Sequence, residues 1–282
     1  MSGVVDLIGR GIRRAPVLHR ADWLWNGLRP SYERLIAMTA GSRGLRRTIN
    51  GTDPIRIAPA SRRLVGDRYE PEIWRAAMNL VRTGDTVVDV GAHIGLYAIA
   101  LARRVGEGGR VIAIEPDPGN AELMEQNVRV NQLCNLEIVR AAAGAHDGET
   151  AFIALNSNVS HVAAIVSHNR ELGAGAFARG TVRVPMVALD TLLAGLPVNF
   201  IKIDVEGYEE PVLAGACELL RDARRRPRAI LLEVHPFAWE PLGTTGATLT
   251  AFFTQCGYRL ATPAGGVCDV IDRHGHLIAL AA

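Results

Sequence analysis

From about residue 70 onward the chain alternates short apolar runs with amphipathic stretches of helical length. Thr86–Val90, Val111–Ile114, Leu136–Val139, Phe200–Ile203 and Ala229–Val234 are compact runs rich in Val, Ile and Leu, each too short for a helix and each reading as a buried strand. Between them lie helical stretches at Pro71–Val81, from near Gly95, at Asn120–Asn131, Tyr208–Leu220 and Leu249–Gln255. Strictly alternating strands and helices predict a parallel sheet with helices on both faces. The last two apolar runs, near Tyr258–Leu260 and His276–Leu280, are joined through Gly265-Gly266 without a helix and predict an antiparallel hairpin. Phe152–Leu155 and Val182–Val187 read as short strands around a polar stretch, Asn156–Gly180, and Asp190–Ala194 as a short helix.

The first 48 residues have a different pattern. Val4, Val5, Ile8 and Ile12, then Leu24 and Leu28, then Leu35 and Ile36 recur at helical spacing, which predicts two or three short helices broken at Pro16 and Pro30. Arginine outnumbers acid there, so the arm suits either an anionic surface or a helical cap on the domain; the cap is the simpler use. Arg47–Ile57 turns at Asn50-Gly51 and predicts a hairpin. The expected division is a helical cap with hairpin over residues 1–65 and a catalytic domain over 66–282.

Composition narrows the class. A net charge of +2 over 282 residues provides no nucleic-acid footprint. The four cysteines, Cys134, Cys217, Cys256 and Cys268, are scattered, so neither a zinc knuckle nor a disulfide framework is expected. No signal-peptide pattern and no apolar run of about 18 residues occurs, which leads to the expectation of a cytoplasmic protein without stable membrane insertion.

The chemistry centres on Asp89-Val90-Gly91-Ala92-His93-Ile94-Gly95, a strand end, a glycine turn and a helix start. A P-loop is excluded, because the only lysine, Lys202, is far from the turn. The spacing G-x-x-x-G, with His93 where a dinucleotide fingerprint has its second glycine, disfavours a pyrophosphate. S-adenosylmethionine carries no phosphate. Its ammonium suits Asp89, directly or through water, and its carboxylate suits the N–H groups of the turn. Glu115, at the end of the next strand, is placed to accept both ribose hydroxyls, and Ala141–Ala143 offers a small apolar wall for adenine, centred on Ala142.

These residues, with Tyr97, Ile114-Glu115-Pro116, Ile203-Asp204-Val205-Glu206-Gly207-Tyr208-Glu209 and Glu233-Val234-His235-Pro236, resemble the FkbM family of class I methyltransferases over roughly residues 46–260. That family usually carries Asn where this chain has His93. The resemblance implies a Rossmann-like α/β fold with a seven-stranded, mostly parallel sheet, S-adenosyl-L-methionine as cofactor, and methylation of a hydroxyl on a sugar, glycan or polyketide-type metabolite of secondary metabolism. It also places Glu70, of Tyr69-Glu70-Pro71, beside the cofactor. The implied cofactor set is then Glu70, Asp89, Gly91, Ala92, His93, Gly95, Glu115, Pro116, Ala142 and Asp204.

Methyl transfer to an alcohol needs alignment and removal of a proton. Asp204, Glu206, Glu233 and His235 sit at strand ends and should face one crevice. His235 is the first choice for the base or else makes a structural hydrogen bond; Asp204 and Glu206 either position the acceptor or brace the following helix. Glu209 reads as a helix-dipole partner, and Lys202 as half of a strand-side ion pair. The four strand-end groups would suit magnesium if they converged, but a metal-free reaction is the expectation. Asn156–Gly180 is expected to cover the acceptor pocket together with the amino-terminal helices. N-methylation of a peptide or amine, a non-catalytic cofactor-binding partner protein and, more remotely, a nicotinamide oxidoreductase are the competing readings. The chain admits homo-oligomerisation.

Overall fold

The computed structural model describes residues 22–155, 161–162, 178–268 and 270–282, apart from some side chains in α1 and β7–β9. The expected helices before Pro16 and most of the Asn156–Gly180 stretch lie outside these residues. Two compact units are distinguished, one holding residues up to Tyr69 together with Leu123–Gln132, the other holding Glu70–Glu122 and Leu133–Ala282.

The first unit contains α1 (Asp22–Ala40) and the hairpin β1 (Leu45–Ile49) and β2 (Asp53–Ile57). Asn50 and Gly51 both take positive φ, 53° and 76°, as the tight hairpin turn requires. Pro30 does not break the helix as expected: α1 runs through it. A proline removes one ladder hydrogen bond, and turns on both sides can carry the helix past it when its far end is anchored; here Ile36 and Ala40 are buried. Asn127 and Asn131, from the part of a later helix that belongs to this unit, bond to the hairpin strand and its exit: Asn127 Oδ1 accepts from Ala58 N at 2.7 Å and Asn131 Oδ1 from Arg56 N at 2.9 Å.

The second unit carries the sheet. In chain order its elements are α2 (Pro71–Leu80), β3 (Thr86–Val90), α3 (Leu96–Val105), β4 (Arg110–Ile114), α4 (Pro118–Asn131, shared with the first unit), β5 (Leu136–Val139), β6 (Ala142–Ala143), β7 (Gly148–Leu155), β8 (His161–Val162), β9 (Ala178–Val187), α5 (Leu189–Leu192), β10 (Phe200–Ile203), α6 (Glu209–Ala214), α7 (Cys217–Arg221), β11 (Ala229–Val234), α8 (Gly246–Gln255), β12 (Tyr258–Ala261) and β13 (Gly275–Ala281). Seven strands form the main sheet in the order β12-β13-β11-β10-β3-β4-β5. The pairs from β11 to β5 are parallel, and β13 runs antiparallel to both β11 and β12. This is the Rossmann-like class I methyltransferase sheet with its antiparallel carboxyl-terminal hairpin.

The central strands are buried on both faces, which accounts for their unbroken Val/Ile/Leu runs. α3 is buried nearly all round, so its sequence, Leu-Tyr-Ala-Ile-Ala-Leu-Ala, lacks a polar face. At the amino end of the sheet Arg228 grips both oxygens of Asp85 and the carbonyl of Leu80, tying β11 to the entry of β3.

Two elements differ from the sequence reading. The helix expected over Tyr208–Leu220 is two short helices, because Gly215 lies against the backbone: a Cβ there would sit 1.9 Å from the Gly144 carbonyl oxygen. Asp190 then caps α7, accepting from the N–H groups of Glu218 and Leu219, each at 2.8 Å. Ala142 and Ala143 do not extend β5; they form β6 in a second sheet of order β6-β9-β7-β8.

Candidate active site

The turn from Gly91 to Gly95 sits at the carboxyl end of β3, between β4 and β10. Gly91 has φ 78°, and a Cβ there would lie 1.8 Å from the carbonyl oxygen of Asp204. Only glycine fits, and the contact holds the turn directly against the end of β10. The amides of the turn are not the free donors expected from the sequence. Gly91 N and Ala92 N both donate to the Ile114 carbonyl, at 2.9 and 3.0 Å, and Gly95 N donates to Ala92 O at 2.8 Å. The first two continue the β3–β4 ladder past the strand end and the third closes the turn on itself, which leaves all three spent. His93 takes φ 53°, a left-handed conformation that Asn and His tolerate better than most residues. Its N–H donates to Glu115 Oε2 at 2.7 Å, and its buried Nε2 has no hydrogen-bond partner among the described residues. Burial lowers the His93 pKa.

Asp89 is wholly buried on β3. Neither of its oxygens has a hydrogen-bond partner among the described residues; the nearest cation, Lys202 Nζ, stands 4.0 Å from Oδ1. Burial pushes this carboxyl up to about 6, against the pull of Lys202. Lys202 sits nearer Asp204, at 3.1 Å from Oδ2, and over the Tyr97 ring at 4.8 Å from its centroid, which makes it the expected strand-side ion pair. Glu115 is buried between β4 and α4. Its Oε1 accepts from Asp117 N at 2.9 Å, and burial, only partly offset by such bonds, raises its pKa to about 7. Oε1 also accepts from Asn120 Nδ2 at 3.4 Å, while Oε2 keeps acceptor capacity beyond its backbone donor. Pro116 forms the turn beyond it. Glu70, at the start of α2, adopts φ 38° and accepts from the Tyr97 hydroxyl at 3.0 Å, which brings it beside α3 and the glycine turn. Ala142 is buried against Val184, Met186 and Tyr208 in the second sheet.

The ends of β10 and β11 build a second cluster. His235, 3% exposed, is held on both sides. Its Nδ1 lies 2.7 Å from Glu209 Oε1, and its Nε2 lies 3.3 Å from Glu206 Oε2 and 3.6 Å from Glu233 Oε1. Burial alone would lower the imidazole pKa, but the Glu209 bond and the charges of Glu206, Glu209 and Glu233 raise it to about 9. Glu206 occupies φ 52°, and its side chain remains 29% exposed. Burial pushes its carboxyl up to about 7, against the favourable charge of His235.

Asp204, Glu206 and Glu233 lie around the His235 imidazole, which brings together the four strand-end groups of the sequence reading. Glu209 does stand in the first turn of its helix, but it is a buried hub: it accepts from Gly207 N at 2.9 Å and from the Trp239 indole at 2.6 Å while holding His235. Two histidines escaped the sequence reading. His274 Nε2 lies 2.8 Å from Glu233 Oε1, and His276 Nε2 lies 3.0 Å from Glu233 Oε2. The available signal was their i, i+2 spacing at the start of a strand expected to run antiparallel, because the β11–β13 register sets His276 opposite Glu233. Among the described residues, three overlapping sets have metal-ligand spacing: Asp204, Glu206 and His235; Glu233, His235 and His274; and Glu70, Glu233 and His276.

A strand-end acid, a glycine turn and a ribose-type carboxylate on one side, with a carboxylate–imidazole cluster on the other, form the frame of a methyl-transfer site. The methyltransferase FkbM domain matches residues 89–260. The chain belongs to the FkbM methyltransferase family. It is an S-adenosylmethionine-dependent enzyme. A probable cobalt-precorrin-6B C(15)-methyltransferase (decarboxylating) from Sulfolobus acidocaldarius is 28% identical over 137 residues, which span 46% of this chain and 66% of that protein. Among solved structures, precorrin-6y C5,15-methyltransferase from Geobacter metallireducens aligns at 13% identity and a TM-score of 0.42, covering 76% of this chain and 89% of that one. A SAM-dependent methyltransferase from Aquifex aeolicus aligns at 17% and 0.40, covering 76% and 90%.

The residues of this FkbM methyltransferase fit the cofactor. Among the described residues the buried carboxylate of Asp89 has no hydrogen-bonded cation, only Lys202 at 4.0 Å, and Glu115 Oε2 keeps a lone pair beyond its His93 donor. When bound, S-adenosylmethionine supplies an electrophilic methyl group on a sulfonium. Its binding should depend on pH. Burial pushes Glu115 up to about 7 and Asp89 up to about 6, and both bind the cofactor best ionised, so its dissociation constant is expected to rise as pH falls below 7. Calorimetry at pH 6 and pH 8 measures this. Glu115→Gln should remove the part of the dependence near pH 7 and leave that of Asp89 at lower pH, and a wild-type constant independent of pH would contradict the assignment.

Proposed function

We propose that this enzyme is an O-methyltransferase whose acceptor hydroxyl, on a small molecule such as a sugar, glycan or polyketide-type metabolite, is deprotonated by Glu206. The observation that carries the reading is the chain Glu209–His235–Glu206, with one buried and one partly exposed carboxylate on opposite nitrogens of a buried imidazole. In this arrangement His235 is a fixed partner, bonded to Glu209 through Nδ1 and facing Glu206 at 3.3 Å through Nε2, so the role of base passes from His235 to Glu206. The arrangement parallels an activated nucleophile in reverse: a buried carboxylate orients the imidazole, and the imidazole orients the group that meets the substrate.

Asp204 supports the same reading. Its carbonyl touches the glycine turn and its side chain is anchored by Lys202, so the base lies two residues from the backbone that closes on the cofactor. A carboxylate of raised pKa suits a hydroxyl, whose proton must be taken as the methyl group arrives. An amine acceptor has only to be presented neutral. Matched alcohol and amine acceptors, assayed with S-adenosylmethionine, test this: the alcohol should be turned over with kcat/KM at least tenfold above its amine counterpart. Preference for the amine would favour N-methylation instead.

A further inference from the structure

His276 projects from the edge of β13 toward Glu233 on β11, and its Nε2 is fully buried. The nearest acceptor, Glu233 Oε2, stands at 3.0 Å in ion-pair contact, off the line of a hydrogen bond. A carboxylate oxygen and an imidazole nitrogen this close, out of line for a shared proton, stand at the spacing of two ligands on one ion. Glu70 Oε2 completes the triangle, 3.9 Å from the same nitrogen. All three donor atoms lie within 4.8 Å of one another.

We propose that Glu70, Glu233 and His276 form a binding site for a divalent transition-metal ion. Two carboxylates and an imidazole suit manganese, iron(II), cobalt or zinc better than calcium or magnesium, which prefer oxygen alone. An ion bonded at about 2.1 Å sets neighbouring donors about 3.0–3.4 Å apart, so Glu233 and His276 already stand at ligand spacing and Glu70, 3.9 Å from His276, has to draw in. The surroundings are those of a supported site. His274 bonds to Glu233 Oε1 and leaves Oε2 facing His276, while the Tyr97 hydroxyl orients Glu70. Glu70 is also held in a left-handed conformation directly before Pro71, which that position disfavours and which turns its carboxylate toward Tyr97 and His276.

The other two sets both draw on His235, which is already bonded through Nδ1 to Glu209, and one of them also on His274, which is bonded to Glu233 Oε1. Three protein donors leave coordination positions open, and the site adjoins the Glu206–His235 pair through Glu233. Occupancy does not depend on the methyl-acceptor assignment.

The test uses the full chain, stripped with chelator and titrated with manganese chloride, free ion being counted by electron paramagnetic resonance. One saturable ion per chain is expected. His276→Ala should weaken it by roughly 100-fold and His274→Gln by roughly tenfold. Cofactor binding, followed by calorimetry, reports whether each variant is folded and tests the methyltransferase reading separately. No saturable binding to the wild-type chain at millimolar manganese, or binding that His276→Ala leaves unchanged, would overturn the proposal.

Discussion

Glu206→Gln is expected to lower kcat by about 10²- to 10⁴-fold while leaving the S-adenosylmethionine dissociation constant within about twofold. At 1.36 kcal/mol per decade the loss corresponds to about 3–5 kcal/mol of barrier. Gln preserves the volume of the side chain and one donor–acceptor contact with His235, but it cannot take a proton. It also tolerates the left-handed backbone at this position about as well as Glu does, so the comparison is not confounded by strain. A purely bracing role would give another pattern: the melting temperature would fall and kcat would hold. Rapid-quench measurement of the transfer step, with thermal denaturation beside it, separates the two. Glu206→Asp should recover part of the rate, since the carboxylate is kept and displaced by one methylene.

Gly91→Ala should have the largest effect on stability. The added methyl group would meet the carbonyl oxygen of Asp204 at 1.8 Å and its carbon at 2.9 Å. Neither is a side chain that can swing away, so the ends of β3 and β10 would have to part. Adding the cost of a left-handed alanine to that of overpacking puts the loss at about 2–5 kcal/mol. Gly84→Ala is the control. Gly84 has a similar φ of 85°, and a methyl group added there would meet nothing within 4 Å, so it should lose only the backbone part, about 1–2 kcal/mol. Denaturant midpoints compare them; equal losses would mean that the close approach of the turn to β10 carries no weight.

The sheet was legible because its strands are buried on both faces. Val87-Val88 and Ile230-Leu231-Leu232 have no polar alternation to confuse with a surface strand, and glycines punctuate the turns. The cofactor side was legible for a related reason: Asp89, Gly91 and Glu115 are local features of strand ends. What the sequence hid depends on contacts between distant segments. The split between α6 and α7 comes from Gly144 approaching Gly215, more than seventy positions away. The engaged state of the turn amides comes from the Ile114 carbonyl on the neighbouring strand. Glu209 looked like a helix-start acid because nothing local announces that His235 and Trp239 close over it. His274 and His276 were missed because the register of an antiparallel strand against its neighbour cannot be read from its own residues.

The chain's cofactor and family leave the acceptor atom as the central claim, and the most direct measurement is where the methyl group goes. Transfer from S-adenosylmethionine labelled with carbon-13 in its methyl group, followed by nuclear magnetic resonance of the purified product, reads the new bond. The account expects a methoxy carbon on the acceptor, formed by the wild-type enzyme and strongly reduced in Glu206→Gln. A label found on nitrogen or carbon, or a methoxy product formed as fast by Glu206→Gln, would contradict it.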